Sequence, residues 1–186
     1  SPRILRFTRS ERLLHWAIAG PFLCCYGSAL LLWLFCTDAH PPIRTALSWV
    51  HRIAGVLMFV LPVLVAVTHW RDWRVHVENI REACTWTRRD FGWMLKMGPA
   101  TFDKRIQLPD QDKFNAAEKI NFLNVMLSWP LYIVTGVLVW LPGVAFWPWA
   151  LHVAMAAFAT PLLGGHIFMA VFNPETRIGL SGMITG

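Results

Sequence analysis

Residues 120–174, INFLNVMLSWPLYIVTGVLVWLPGVAFWPWALHVAMAAFATPLLGGHIFMAVFNP, contain no Asp, Glu, Lys or Arg across 55 positions. As one helix the run would be roughly 80 Å long, against a hydrocarbon core of about 30 Å, so it must cross a membrane at least twice. Pro142-Gly143 and Trp147-Pro148-Trp149 form the breaker cluster that divides it, and their tryptophans suit a membrane interface. Working outward, the charge-free runs 13–37 and 53–70 supply two more spans. The expected fold is all-α, an integral membrane four-helix bundle. Its helices are placed at about 12–35, 45–70, 116–141 and 149–172, with a central loop over 71–115, in one domain covering residues 1–186.

Composition agrees with that reading. Of the 186 residues, 55% are apolar and only 15% charged, where a soluble domain carries about 25% charge. A soluble enzyme is excluded, and a β-barrel is disfavoured because the apolar runs are continuous rather than alternating. The first span is too long for a signal-peptide core and has no small-residue cleavage site before the next charges. Orientation follows from the cations. Fifteen of the 17 Lys and Arg fall before the first span, between the second and third, or after the fourth; only Arg44 and Arg52 fall on the other side. The positive-inside rule then places both termini and the central loop in the cytoplasm. Topology and anionic lipid account for the basic excess, so no nucleic-acid partner is expected. Within the loop, residues 73–96 read as an amphipathic stretch that lies on the membrane or docks a partner.

Cys24, Cys25, Cys36 and Cys84 form no CxxC pair, which argues against an iron–sulfur cluster or structural zinc on this chain. The histidines are more informative, because an intramembrane polar group is costly and usually functional. His152 and His166 are 14 residues apart, about 40° short of four turns, so they share a helix face about 21 Å apart along the axis. His15 begins the first helix on the inner side and His51 begins the second on the outer side. Depth therefore pairs His15 with His166 and His51 with His152. Two stacked bis-histidine pairs are what two b-type haems need, each iron taking two imidazoles from facing helices. His69 shares a face with His51 and rivals His15, but lies level with the headgroups. Gly20, Gly55 and Gly164-Gly165 lie near these histidines and would let a flat macrocycle approach, or would serve helix packing. Bare zinc or copper is a poorer fit, since no carboxylate or thiolate shares either depth.

The run Arg12-Leu13-Leu14-His15-Trp16, His51 followed by Gly55, Leu151-His152 and His166-Ile167-Phe168-Met169-Ala170 resemble the cytochrome b (gamma) subunit of membrane-bound formate dehydrogenases. Asp90-Phe91-Gly92-Trp93, Lys113-Phe114-Asn115-Ala116-Ala117-Glu118-Lys119 and the closing Gly182-Met183-Ile184-Thr185-Gly186 extend the likeness over nearly the whole chain. The resemblance implies outer haem ligands at His51 and His152, inner ones at His15 and His166, and a quinone site beside the inner haem near His166 and Asn115. It also implies a bacterial inner membrane, an iron–sulfur (beta) subunit and a molybdenum or tungsten catalytic (alpha) subunit facing the periplasm. Ala117 and Glu118 depart from the family's common Asn-Ala-Gly-Gln-Lys pattern.

The expected function is electron transfer from the outer to the inner haem and on to menaquinone or ubiquinone, with no catalytic bond chemistry on this chain. Asn115 would hydrogen-bond a quinone carbonyl. Glu118 and Lys119 are candidates for proton delivery or simply mark a helix start, and Arg9 and Arg12 are candidates to neutralise inner haem propionates. The rival within the class is the cytochrome b of a nickel–iron hydrogenase or a sulfur-compound reductase. A rival of another class is a haem-free membrane anchor.

Overall fold

A computed structural model of the chain describes residues 5–35, 40–143, 145–173 and 176–186; Cys36 and Arg3 lie outside them. Seven α-helices account for most of it: α1 (Arg9–Leu34), α2 (Pro41–Thr68), α3 (Trp73–Cys84), α4 (Arg88–Phe102), α5 (Ala116–Trp140), α6 (Phe146–Ile167) and α7 (Ile178–Thr185). A 3₁₀ turn, Trp70–Asp72, links α2 to α3, and a π-helical turn, Phe168–Phe172, extends α6. Four helices, α1, α2, α5 and α6 with its π turn, are long and apolar enough to cross a membrane. The protein is a multi-pass membrane protein. α1 packs mainly on α2, and α5 on α6. α1 and α5 run from the end of the bundle that carries most of the Lys and Arg, here the basic end, to the opposite far end; α2 and α6 return.

The helix starts follow local chemistry. Thr8 opens α1 with its N–H donating to Glu11 Oε2 at 2.7 Å while Glu11 N–H reaches Thr8 Oγ1 at 3.4 Å, a capping box that satisfies two otherwise orphaned donors. Asn115 and Glu118 repeat it at α5: Glu118 N–H donates to Asn115 Oδ1 at 3.0 Å and Asn115 N–H to Glu118 Oε2 at 2.9 Å. The fourth span starts at Phe146, before the Trp147-Pro148-Trp149 group read as part of the breaker. A proline in the first turn loses no helical hydrogen bond, so α6 runs through this group, and the described turn before it lies at 141–143.

Each spanning helix also carries an internal proline: Pro21, Pro62, Pro130 and Pro161. Such a residue strips the donor from the carbonyl four positions earlier, which lipid cannot satisfy. For Pro62 that carbonyl belongs to Met58, and Trp129 Nε1–H donates to it at 2.9 Å from α5. Trp129 therefore repairs the α2 backbone and ties the two helical hairpins together.

The outer surface of the spans is apolar: Leu127 and Phe158 are both 66% exposed, tolerable because lipid surrounds them. At the far end Arg52, one of two cations there, sits over the rings of Trp49 (5.5 Å) and Trp140 (5.3 Å), a cation–π clamp suited to an interface.

The central segment is two helices, α3 and α4, with a break at Thr85-Trp86-Thr87. They close the basic end. Trp93 and Met97 of α4 bury against Ala116, with Trp86, Leu108 and Met169 around them. Beside this apolar patch lie buried ion pairs. Lys119 is 2% exposed and donates to Asp90 Oδ1 at 2.9 Å and to the Thr85 carbonyl at 3.0 Å, with Glu82 3.7 Å away. Burial opposes ionisation of the Asp90 carboxyl, but the Lys119 ammonium and the Thr87 N–H and hydroxyl outweigh it and hold the carboxyl below its usual range. A second knot joins Lys113, Glu11 and Asn79: Lys113 Nζ donates to Glu11 Oε1 and to Asn79 Oδ1, and Asn79 Nδ2 donates to Glu11 Oε1 at 2.6 Å. It binds α1, α3 and the start of α5 into one base.

Candidate functional site: two facing histidine pairs

The histidines paired by depth face one another across the bundle. At the basic end the rings of His15 (α1) and His166 (α6) have centroids 6.3 Å apart, and toward the far end His51 (α2) and His152 (α6) are 6.2 Å apart. A metal between two imidazoles, with bonds of about 2 Å each plus the two half-rings, needs centroids about 6 Å apart. Both pairs have that separation. Among the described residues no three His, Cys, Asp or Glu side chains converge on one point. Each site therefore offers two imidazole nitrogens, a donor set that the four nitrogens of a tetrapyrrole would complete.

A Cβ built on Gly20, Gly55, Gly164 or Gly165 would meet no atom within 4 Å, so within this chain none of the four is a close helix–helix contact. Gly136, which sequence reasoning passed over, is different: a Cβ there would lie 3.5 Å from His152 Cε1, at ordinary contact distance, so this point of α5 lies directly against that ring.

Hydrogen bonding fixes the far-end tautomers. Thr135 Oγ1 lies 2.6 Å from the Leu131 carbonyl and 2.8 Å from His152 Nδ1. The hydroxyl has one proton, which the carbonyl takes, so His152 Nδ1–H is the donor to Thr135. Ser28 Oγ is committed in the same way to the Cys24 carbonyl at 2.7 Å and lies 3.3 Å from His51 Nδ1. The Cys25 carbonyl, 2.9 Å from that nitrogen, can only accept. Both far-end rings thus carry their proton on Nδ1 and keep the Nε2 lone pair for a metal, the arrangement usual for metal-bound histidine. At the basic end His15 Nδ1 is buried with no partner among the described residues. Between the levels stands Tyr132, its ring 5.4 Å from His152 and 6.0 Å from Phe22. Its hydroxyl is likewise buried and unpartnered among the described residues.

The remaining candidates lie at the basic end. His69 caps the C-terminus of α2, its Nδ1 3.0 Å from Thr68 Oγ1, and the ring facing His166 is that of His15. Asn115 and Glu118 line a cavity of about 350 Å³ with Arg6, Trp93, Lys113 and Thr176; His166 is not among its lining residues. Asn115 Oδ1 is occupied by the helix cap, which leaves Nδ2 to donate into the cavity. Glu118 is held by the same cap and by Arg6 at 3.4 Å. Lys119 is locked in its ion pair with Asp90 rather than turned toward the cavity. Arg9 and Arg12 border a second cavity with Leu13, Trp16, Met183 and Ile184. There Arg12 donates to the Ile184 carbonyl at 3.1 Å and Trp16 Nε1–H to the Met183 carbonyl at 3.2 Å, capping the end of α7.

Sequence comparison gives this geometry a context. The family described as prokaryotic cytochrome b561 matches residues 6–186. The chain is 25% identical to the cytochrome b556(Fdn) subunit of the nitrate-inducible formate dehydrogenase of Escherichia coli (strain K12), over all of this chain and 84% of that protein. The same subunit of Shigella flexneri matches equally. The cytochrome b556(fdo) subunit of formate dehydrogenase from Escherichia coli (strain K12) is 24% identical, over 90% of this chain and 72% of its own length.

Proposed function

We propose a function that proceeds from one premise: this chain belongs to the prokaryotic cytochrome b561 family. It is a membrane cytochrome of b type that transfers electrons. In our reading it holds two haems and serves a formate dehydrogenase-like complex of a bacterial inner membrane, with its termini and basic end in the cytoplasm. The far end receives electrons from a periplasmic catalytic subunit through an iron–sulfur subunit. The observation that supports this reading is the facing of two imidazoles at each of two depths, at 6.2 and 6.3 Å.

Bound at these levels, b-type haems supply one-electron carriers that connect the two membrane faces. The chain's own residues do the rest. His51 and His152 hold the outer group through Nε2, while Thr135, Ser28 and the Cys25 carbonyl keep both rings turned. His15 and His166 hold the inner one. Asn115 offers its amide N–H to a carbonyl of menaquinone or ubiquinone in the basic-end cavity. Quinone reduction takes up two electrons and two protons, and the protons enter from the cytoplasmic side past Arg6, Lys113 and Glu118, which line that cavity. Because donor oxidation releases protons on the opposite face, the cycle builds a potential without a pump.

The test uses membranes containing the whole complex. Formate should reduce the b-haem absorption, and added quinone should reoxidise it. Asn115→Leu should slow reoxidation without lowering haem content; unchanged reoxidation discards the role given to Asn115. Reduction by hydrogen but not formate would transfer the chain to a hydrogenase, the rival donor.

A further inference from the structure

The two histidine levels differ in what stands behind the rings. We propose that Thr135 and Ser28 are positioning residues that make the His51–His152 level the more electron-rich ligand set, so that its haem has the lower reduction potential of the two and electrons run downhill toward the His15–His166 level. This inference rests on the dihaem reading above.

Thr135 is 2% exposed, and its hydroxyl proton is engaged by the Leu131 carbonyl at 2.6 Å. Toward His152 Nδ1, 2.8 Å away, it acts as an acceptor. Ser28, 4% exposed, is committed to the Cys24 carbonyl, and His51 Nδ1–H is shared between Ser28 Oγ and the Cys25 carbonyl. An imidazole that donates from Nδ1 to a good acceptor gathers electron density on Nε2 and is a stronger ligand. A stronger donor favours the ferric over the ferrous iron, which lowers the potential. Both far-end ligands have such an acceptor, and both acceptors are buried where water cannot replace them.

At the basic end His15 Nδ1 is buried without an acceptor among the described residues. The missing acceptor raises the inner potential relative to the outer. An electron entering at the far end would then fall toward the cavity that holds Asn115.

The experiment is a redox titration of the purified complex followed at the haem absorption bands, with haem-to-chain ratio measured on each sample. Wild type should titrate in two steps, and His51→Ala should abolish the lower one; loss of the higher step instead overturns the proposal. Thr135→Val should move the lower step upward and leave the higher in place, with two haems still bound. Thr135→Ser, which keeps the hydroxyl, should restore the wild-type curve. Both steps unmoved in Thr135→Val, or a shift of the higher alone, contradicts the assignment. Should Thr135→Val lose haem, Ser28→Ala decides by the same reading, an unmoved lower step again overturning it. A wild-type complex with one haem or none would instead sink the dihaem reading, a different failure with a different signature.

Discussion

Behind His51 and His152 stand a carbonyl and two buried hydroxyls; among the described residues His15 Nδ1 has no hydrogen-bond partner. The ring separations are nearly the same, 6.2 and 6.3 Å, so the two levels share a spacing and differ in electrical setting. The same helix, α6, supplies one histidine to each, and the difference comes from its neighbours. At the far end α1 and α5 each bring a hydroxyl to a ring. At the basic end they bring the charged and capping residues that build the cavity and close the bundle. The depth of each level is set along α6, and its tuning by the packing around it.

The largest effect should come from deleting a ligand. His51→Ala should take the haem-to-chain ratio from about two to about one and spare the basic-end haem, His15→Ala should do the reverse, and His69→Ala should leave both. Retention of two haems by His51→Ala would break the comparison at its root. Next come the glycines. Gly55→Leu fills space beside the far-end pair and Gly20→Leu beside the other, so each should lower occupancy of its own level, read as selective loss of one spectral component. Equal loss at both levels would mean that the glycines serve the bundle as a whole.

A smaller, structural effect is expected at the base. Asp90→Asn leaves Lys119 buried with weakened pairing, at a cost of about 3 kcal/mol, measurable as earlier unfolding in detergent. The basic-end haem should be released before the far-end one. The pH dependence has a definite sign. Because the folded Asp90 carboxyl titrates below its unfolded value, its contribution is complete above the ordinary carboxylate range. It fades as pH falls through the lowered folded value; Asp90→Asn should flatten that acid loss. Smallest of all is Gly136→Ala, whose new methyl would sit at ordinary contact distance, 3.5 Å from His152 Cε1. Stability should stay within about 1 kcal/mol of wild type, with an unaltered spectrum.

The spans and the histidine pairing were legible because both are regularities along single helices. Charge-free runs mark lipid-facing length, and a 14-residue interval fixes His152 and His166 to one face of α6. What was not legible depends on neighbours far along the chain. Thr135 reaches His152 from another helix, and Ser28 reaches His51 from 23 residues away. In the sequence Lys113 was one of the loop cations and Lys119 a candidate for proton delivery or a helix-start marker, yet their partners Glu11 and Asp90 lie 102 and 29 residues distant. The role of Trp129 leaves no local signal because its acceptor, the Met58 carbonyl, is exposed only by Pro62 on a different span. The Trp-Pro-Trp group misled for a local reason, since a proline near a helix start reads the same in sequence as one that ends a helix.

The claim at the centre of this account is that the chain holds two haems, each between two facing histidines. A pyridine haemochrome assay on the purified chain, set against polypeptide concentration, tests it directly. The account predicts two b-type haems per chain; a ratio of one would remove one of the two levels, and the absence of haem would leave a membrane anchor whose paired histidines have no iron to hold.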